Sequence, residues 1–286
     1  MIAVYKIIMS VALRKKSQEP KRAKPFLKWA GGKTQLLPEL LKRFPANFNR
    51  YHEPFVGGGA VFFGLGPKAC TLSDVNGDLI NTYTAIRDDV DGLIRVLKKH
   101  RAEEEYYYKM RELKVANLND TEAAARIIYL NRTCFNGLYR VNRKGQFNVP
   151  FGKSSNPTIC NSENLQRVSE RLRGVKLRCE SVFNIARRVR RNDLIYFDPP
   201  YDPLSKTSSF TSYAKGGFGD EEQIQLAKLF TRLAERGVHV VLSNSDTPFI
   251  RKLYKGHRID RVYARRAINS RADRRGPVGE VIVTSR

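Results

Sequence analysis

An apolar run, Leu-Ile-Tyr-Phe197, follows Asp193 and leads directly into Asp198-Pro199-Pro200-Tyr201. An apolar run without polar alternation is typical of a strand that is covered on both faces of a sheet. Two consecutive prolines lack backbone N–H groups and hold the chain rigid where this strand ends. Because open α/β sheets bind ligands at the carboxyl ends of their strands, this segment predicts a binding edge that presents Asp198 and Tyr201.

Strand and helix signals alternate along most of the chain, which predicts an α/β fold with a parallel-type sheet covered on both faces. Leu79–Arg87 has a helical pattern, and Asp220 with Gln223 resembles a capping box that opens another helix. Further strand patterns lie at Arg50–Pro54, Cys70–Ser73, Val238–Ser243 and Glu280–Thr284.

The middle of the chain has a different composition, rich in charged residues, Tyr and Asn. Ala123–Leu130 has a helical pattern, and the residues around Lys144-Gly145 alternate in polarity as in a β-hairpin. We therefore predict that residues 88–174 form a mostly helical module with a hairpin. This module would be inserted into one α/β domain made of residues 25–87 and 175–286.

The charge of the chain points to a polyanionic partner. Its 52 Lys and Arg against 28 Asp and Glu give a formal net charge of +24. A hydrophobic content of 41% excludes a wholly disordered polycation, because such chains lack enough apolar residues to bury. Nucleic acid is therefore the favoured partner before any motif is considered.

The N-terminal segment predicts neither a membrane span nor a secretion signal. Its apolar stretch Ile2–Leu13 is interrupted by Lys6 and is shorter than the roughly 20 residues that a bilayer requires. Residues 1–24 are therefore predicted to be a basic, disordered extension of a soluble protein. The four cysteines are scattered, which favours free thiols in a reducing cytosol over a zinc site or disulfides.

Trp29-Ala-Gly-Gly-Lys33-Thr34 ends in Gly-Lys-Thr and so invites comparison with a phosphate-binding loop. That loop also requires a glycine five residues before Gly32, where this chain has Leu27, and no apolar strand precedes the segment. An NTPase is therefore disfavoured. For this segment alone, a glycine turn that leads into an amphipathic helix remains an alternative.

A second glycine-rich segment, Glu53-Pro54-Phe55-Val56-Gly57-Gly58-Gly59, follows a strand, and Asp74 ends the next strand. Glycines at this position let a ligand approach the backbone, and an acidic residue about 20 positions on can accept hydrogen bonds from ribose hydroxyls. The strict dinucleotide pattern is absent, so a nucleoside without phosphates fits better. A plain strand–turn–helix remains an alternative.

The residues after the apolar strand suit chemistry on an exocyclic amine. Asp198 and the carbonyl of Pro199 can both accept hydrogen bonds from one amine, while Tyr201 stacks on the base that carries it. Two such bonds pull the nitrogen towards a pyramidal geometry and free its lone pair for attack on a methyl sulfonium placed in line. The target base would have to leave the double helix to reach this site.

Together these motifs resemble the DNA adenine methylase (Dam) family, whose members transfer a methyl group from S-adenosylmethionine (AdoMet) to the adenine amine. The resemblance implies a Rossmann-like methyltransferase sheet with an inserted target-recognition domain. It covers the chain from about Pro25 onwards. The motifs are PFLKWAGGK at 25–33, EPFVGGG at 53–59, SDVN at 73–76, NGLYRVNRKGQFNVPFGK at 136–153 and YFDPPY at 196–201.

The resemblance also implies roles for particular residues around AdoMet. Asp74 would bind the ribose hydroxyls, and Asp198 would lie between AdoMet and the target amine, with Pro199 and Tyr201 as its catalytic neighbours. No metal is implied. The residues implied at the AdoMet site are Trp29, Lys33, Phe55, Gly57, Gly59, Asp74 and Asp198.

The same resemblance implies a DNA-reading set and the recognition sequence GATC. Arg140 would read a guanine, Lys28 would contact the outer guanine, and Asn136 would lie near the flipped-out base. Phe135 would wedge into the duplex, at a position where relatives have Tyr or Asn. Leu138 and Pro150 would contact a thymine methyl group.

Several alternatives stay open at this stage. The same chemistry could act at another DNA sequence or on cytosine, since the Asp-Pro-Pro-Tyr motif suits any exocyclic amine. A DNA-binding protein that keeps the fold without turnover is a further alternative, although the intact Asp198, Asp74 and Lys33 argue against it. We expect a cytoplasmic monomer that associates with the nucleoid through DNA.

Overall fold

The computed structural model describes residues 22–203, 218–265 and 277–285. Within these ranges the strands are β1 Tyr51–Glu53, β2 Cys70–Asp74, β3 Lys176–Cys179, β4 Leu194–Phe197, β5 His239–Ser245, β6 Arg258–Arg265 and β7 Pro277–Thr284. They form one seven-stranded sheet in the order β3-β2-β1-β4-β5-β7-β6. Pairing from β3 to β5 is parallel, whereas β7 runs antiparallel to both β5 and β6. The predicted α/β class with a Rossmann-like sheet is confirmed.

The position of β1 between β2 and β4 determines where a ligand can bind. Tyr51 of β1 lies opposite Cys70 of β2 and Leu194 of β4. The strand order reverses here, because the chain passes from β1 to β2 on one side while β4 flanks β1 on the other. The segments that follow β1 and β4, beginning at Pro54 and Asp198, therefore share one edge of the sheet.

Helices cover the sheet on both faces, as the apolar pattern of β4 predicts. Leu194 and Tyr196 belong to one hydrophobic core, whereas Ile195 and Phe197 belong to a second one. This division follows the alternation of side chains along a strand. The helices are α1 Leu37–Leu41, α2 Ala60–Leu65, α3 Gly77–Asp88, α4 Val90–Leu97, α5 Glu104–Glu112, α6 Asp120–Thr133, α7 Ser162–Leu172, α8 Asp220–Glu235 and α9 Pro248–Leu253.

The start of α8 corrects one prediction. The capping residue is Gly219, and Asp220 is the first residue inside the helix. The Glu222 carboxylate accepts a hydrogen bond from the Gly219 N–H at 2.8 Å, so the side chain that reaches back is Glu222 and not Gln223. Gln223 is buried instead, and its amide donates to the carbonyl of Pro200 at 2.8 Å. The predicted pairing of Asp220 with Gln223 is therefore wrong.

The middle segment contributes to two different cores. Leu93 of α4 and Leu165 of α7 pack into the core that also contains the β4 residue Tyr196. A third core is local to this segment and lies beneath the hairpin, whose antiparallel bridge joins Val141 to Phe147 across Lys144-Gly145. The hairpin is confirmed, and the assignment of residues 88–174 to a separate domain stays a prediction. The third core contains Tyr107, Tyr129, Leu130, Cys134, Phe147 and Val149.

Residues 1–21 of the predicted N-terminal extension lie outside the described residues. Lys24, assigned to the same extension, pairs with Asn164 of α7 through both its N–H and its carbonyl. No described helix is long and apolar enough to cross a bilayer. All four cysteines are free thiols.

Candidate functional site

Asp198 lies at the carboxyl end of β4 and is fixed by two hydrogen bonds to one oxygen. Its Oδ1 accepts from Lys33 Nζ at 2.8 Å and from the Ser243 hydroxyl at 3.0 Å. Burial raises the pKa of the Asp198 carboxyl, while Lys33 and Ser243 oppose that shift. Among the described residues no side chain bonds to Oδ2, so this oxygen can accept a further hydrogen bond.

The residues after Asp198 are tied to the strands and helix around them. The carbonyl of Pro200 is taken by Gln223 of α8, whereas Pro199 is buried beside Asp198. The Tyr201 hydroxyl donates to Glu280 Oε2 of β7 at 2.8 Å. These contacts anchor both sides of the segment, so the Tyr201 ring has a fixed position next to the carboxylate.

Lys33 joins the first glycine-rich segment to this carboxylate. The residue is 7% exposed, and its ammonium also donates to the carbonyl of Gly31 at 2.5 Å. The same ammonium lies 4.6 Å from the centroid of the Tyr201 ring, within the range of a cation–π contact. Lys33 therefore lies beside the Asp-Pro-Pro-Tyr segment. It does not start a helix, since α1 begins only at Leu37.

The glycines after β1 allow close packing that no side chain would permit. Gly57 has a φ of 46°, and a Cβ on it would lie 2.8 Å from Cδ1 of Trp29. Gly59 has a φ of 69°, and its Cβ would lie 2.5 Å from the Tyr83 hydroxyl. That hydroxyl donates to the carbonyl of Gly57 at 3.1 Å. The loop is therefore held between Trp29 and Tyr83, and only residues without a side chain fit at these two positions.

Asp74 ends β2 and faces this loop. Its Oδ2 accepts from the Gly57 N–H at 3.3 Å and its Oδ1 from the Asn76 N–H at 3.0 Å. Burial raises the pKa of the Asp74 carboxyl, and these backbone hydrogen bonds oppose the shift. Phe55 packs edge-on against Phe218 with ring centroids 5.5 Å apart.

Apart from Lys28, which precedes α1, the predicted DNA-reading residues lie on the segment after α6 and on the hairpin. Phe135 is 52% exposed, and Asn136 has a φ of 56°, which is uncommon for a residue with a side chain. The N–H of Phe135 donates to the carbonyl of Pro150 at 2.9 Å, so the hairpin supports this turn. Leu138 is half-buried and Pro150 is exposed.

Arg140 is exposed on the hairpin, with its guanidinium oriented by Asn148. Nε donates to Asn148 Oδ1 at 2.7 Å, and one terminal nitrogen donates to the Asn148 carbonyl at 3.0 Å. The terminal nitrogens carry further N–H groups, which suit the paired acceptors of a guanine. Tyr139, which precedes Arg140, stacks on Trp29 with ring centroids 5.2 Å apart.

The structure adds residues that the motifs did not single out. Ser243 lies on β5, the neighbour of β4, and its hydroxyl contacts both Asp198 and the Tyr196 hydroxyl. The rule that ligands bind at strand ends could have pointed to Ser243, because β5 ends at the same edge. Val75 follows Asp74 and is 70% exposed.

Glu53 is a buried carboxyl beneath the site, and it predicts a pH-dependent stability. Burial raises its pKa to about 8, although the Tyr51 hydroxyl donates to it. Folding therefore favours the protonated form, and stability is lost as the pH rises from about 4.5 towards 8. The Glu53→Gln variant cannot ionise at this position, so its free energy of unfolding does not fall in this way. The free energy of unfolding of the variant minus that of the original chain should therefore increase by at most about 1.4 kcal/mol for each pH unit. Denaturant unfolding of both proteins between these pH values measures the difference.

The control for this experiment is Glu104→Gln, which neutralises an exposed glutamate in the first turn of α5. Its stability relative to the original chain should not follow the same trend. A constant difference between Glu53→Gln and the original chain across the pH range would contradict a protonated Glu53.

Comparisons with known proteins agree with the geometry. Residues 29–268 match the family model of the D12 class N6 adenine-specific DNA methyltransferase. The Type II methyltransferase M.MjaIII of Methanocaldococcus jannaschii is 46% identical, over 88% of this chain and 95% of the relative. The Type II methyltransferase M1.LlaDCHI of Lactococcus lactis subsp. cremoris is 42% identical, with 92% and 95% covered. A DNA adenine methylase of Haemophilus influenzae is 37% identical, with 94% and 96% covered.

Proposed function

Because the chain belongs to the D12 class N6 adenine-specific DNA methyltransferase family, we propose that it transfers the methyl group of AdoMet to N6 of adenine in duplex DNA, within GATC. The observation that carries the proposal is the contact of Lys33 and Ser243 with Asp198 at the sheet edge. This edge also holds the Gly57 loop and Asp74, so an acceptor for an amine and a cradle for a nucleoside lie together.

The residues at the edge fit AdoMet. Asp74 offers carboxylate acceptors for ribose hydroxyls, and the Trp29 ring packed against Gly57 offers an apolar surface beside it. Trp29, Lys33, Phe55 and Gly59 complete the set that would hold it. Bound AdoMet supplies an electrophilic methyl group on a positively charged sulfur. The described residues contain no cluster of side chains that could hold a metal ion.

Asp198 orients the target amine and receives its proton. Its Oδ2 and the carbonyl of Pro199 accept hydrogen bonds from the two N–H groups of the amine, and Tyr201 supports the base by stacking. AdoMet would leave as a neutral thioether once its methyl group is on the amine nitrogen, and Asp198 would accept the proton that this nitrogen must lose. A raised pKa makes the Asp198 carboxylate a better acceptor for that proton. Ser243 and Lys33 keep the carboxylate in place throughout.

Gly57→Ala tests the cofactor side of the proposal. Alanine is strained at a φ of 46°, and its Cβ would press on the Trp29 ring. We expect AdoMet affinity to fall by about tenfold, which corresponds to a strain within the range of about 1–3 kcal/mol. Calorimetric titration with AdoMet measures this change.

The matched control is Gly256→Ala. A Cβ added to Gly256 would meet no heavy atom of the described residues within 4 Å, and this glycine does not have a positive φ. The AdoMet affinity of the control should equal that of the original chain. Equal affinity for Gly57→Ala and Gly256→Ala would contradict a cofactor cradle at Gly57.

The proposed DNA target rests on the recognition residues and on the relatives. Arg140 would read a guanine, Lys28 would contact the outer guanine, and Asn136 would lie near the flipped base. Leu138 and Pro150 would contact a thymine methyl, and Phe135, which is 52% exposed, would fill the space that the base leaves. Several relatives carry the name DNA adenine methylase, which supports the choice of GATC. The net charge of +24 favours binding to DNA phosphates.

Nucleoside analysis of methylated DNA tests the reaction. The protein is incubated with AdoMet and unmethylated duplex, and the DNA is then digested to nucleosides. The digest should contain N6-methyl-2′-deoxyadenosine. N4-methylcytosine would show that the same site acts on the exocyclic amine of cytosine. Bound AdoMet without any methylated nucleoside would favour a DNA-binding protein that has lost turnover.

A further inference from the structure

Asn131, near the end of α6, holds together two segments that are distant in sequence. The residue is 1% exposed. Its Oδ1 accepts from the Lys28 N–H at 2.8 Å, and its Nδ2 donates to the Lys28 carbonyl at 2.7 Å. The same Nδ2 donates to the Gly137 carbonyl at 2.8 Å. One amide thus binds the backbone of Lys28 and the turn that carries Phe135 and Asn136.

The side chain of Lys28 crosses the same turn. Gly137 has a φ of 65°, and any side chain there would collide with the aliphatic stem of Lys28. Lys28 is exposed, as are Phe135 and Asn136. The amide of Asn131 therefore fixes the distance between an exposed cation and an exposed aromatic tip on the same surface.

We infer that Asn131 is a positioning residue for DNA sequence recognition, which sets the register between Lys28 and the Phe135–Gly137 turn. This inference rests on the proposed function, in which Lys28 contacts the outer base pair and the turn meets the flipped base. A buried amide with three satisfied hydrogen bonds has one favoured arrangement, so the two DNA contacts arrive at a set spacing. Loss of the amide would free Lys28 from that spacing without removing its charge.

The chain offers a matched control in Asn164 of α7. Its Oδ1 accepts from the Lys24 N–H at 3.0 Å and its Nδ2 donates to the Lys24 carbonyl at 2.9 Å. Asn164 is 7% exposed, so it is nearly as buried as Asn131. Asn164 therefore binds the backbone of Lys24 as Asn131 binds that of Lys28, four residues further along the same segment. Asn164 does not bind the Phe135–Gly137 turn.

The experiment compares Asn131→Leu with Asn164→Leu in the full chain. Both changes remove buried hydrogen bonds, three at Asn131 and two at Asn164, and both should lower the thermal stability. Methylation rates, as kcat/KM, are measured on GATC and on duplexes in which each base pair is replaced in turn. We expect Asn131→Leu to lose about tenfold of the discrimination at the outer G·C pair, and Asn164→Leu to keep all of it.

Asn131→Ser serves if the leucine variant does not fold, because the smaller polar side chain leaves room for water but cannot bridge both segments. It should show the same loss at the outer pair. Unchanged discrimination in a folded Asn131 variant, or an equal loss in Asn164→Leu, would overturn the positioning role. If the original chain methylates no adenine in GATC, the proposed function fails first and the inference fails with it.

Discussion

Asp198→Ala is expected to reduce methyl transfer by at least about two orders of magnitude, while the chain keeps most of its affinity for DNA. The carboxylate would orient the target amine and take its proton, and the alanine does neither. DNA affinity should persist, because phosphate contacts are expected from basic residues elsewhere on the surface. Single-turnover rates and DNA binding, measured on the same duplex at one salt concentration, separate the two effects.

Stability is the main complication for this variant, since Lys33 would lose its ion pair in a buried position. Asp198→Asn keeps the size of the side chain and should be equally inactive, because an amide does not accept the proton. Asp202→Ala removes a carboxylate four residues on and serves as the control, with near-normal transfer expected. A fall in DNA affinity as large as the fall in rate would contradict this division of roles.

Arg140→Ala is expected to relax sequence preference at one guanine. The guanidinium is oriented by Asn148 and presents its terminal nitrogens, so its loss should remove about 1–3 kcal/mol of discrimination at that position. The rate on GATC should fall towards the rate on the substituted duplex. Competition between the two duplexes in one reaction measures the ratio directly.

Arg143→Ala is the matched control, since Arg143 is an exposed arginine three residues along the same hairpin. Removal of its charge should weaken binding to all duplexes alike and reduce the salt dependence of binding. If both variants change discrimination at the same position equally, Arg140 does not read that base.

The fold and the edge of the sheet were predictable from local signals. The four residues of β4 are apolar because both faces of the strand are buried, and the prolines after Phe197 mark where it ends. The glycines at 57 and 59 were predictable for a similar reason, since their backbone needs positive φ and close packing. Such signals lie within a few residues of the feature they predict.

The supporting contacts could not be predicted in the same way. Ser243 and Gln223 bind the Asp-Pro-Pro-Tyr segment from about 20 to 45 residues away, and Asn131 binds Lys28 across a separation of 103 residues. A polar residue inside an apolar helix or strand shows that it needs a partner, but not which partner. The wrong prediction for the start of α8 is an example. Gln223 matched a local capping pattern, but its amide donates to the distant carbonyl of Pro200.

We propose above all that this chain transfers a methyl group to adenine within one DNA sequence. The most direct measurement incubates the purified chain and radiolabelled AdoMet with two unmethylated duplexes, one with a single GATC and one with that sequence scrambled. We expect label in N6-methyladenine from the GATC duplex alone. Equal label in both duplexes would contradict the roles proposed for Arg140, Leu138 and Pro150, and no label in either would contradict methyl transfer to GATC.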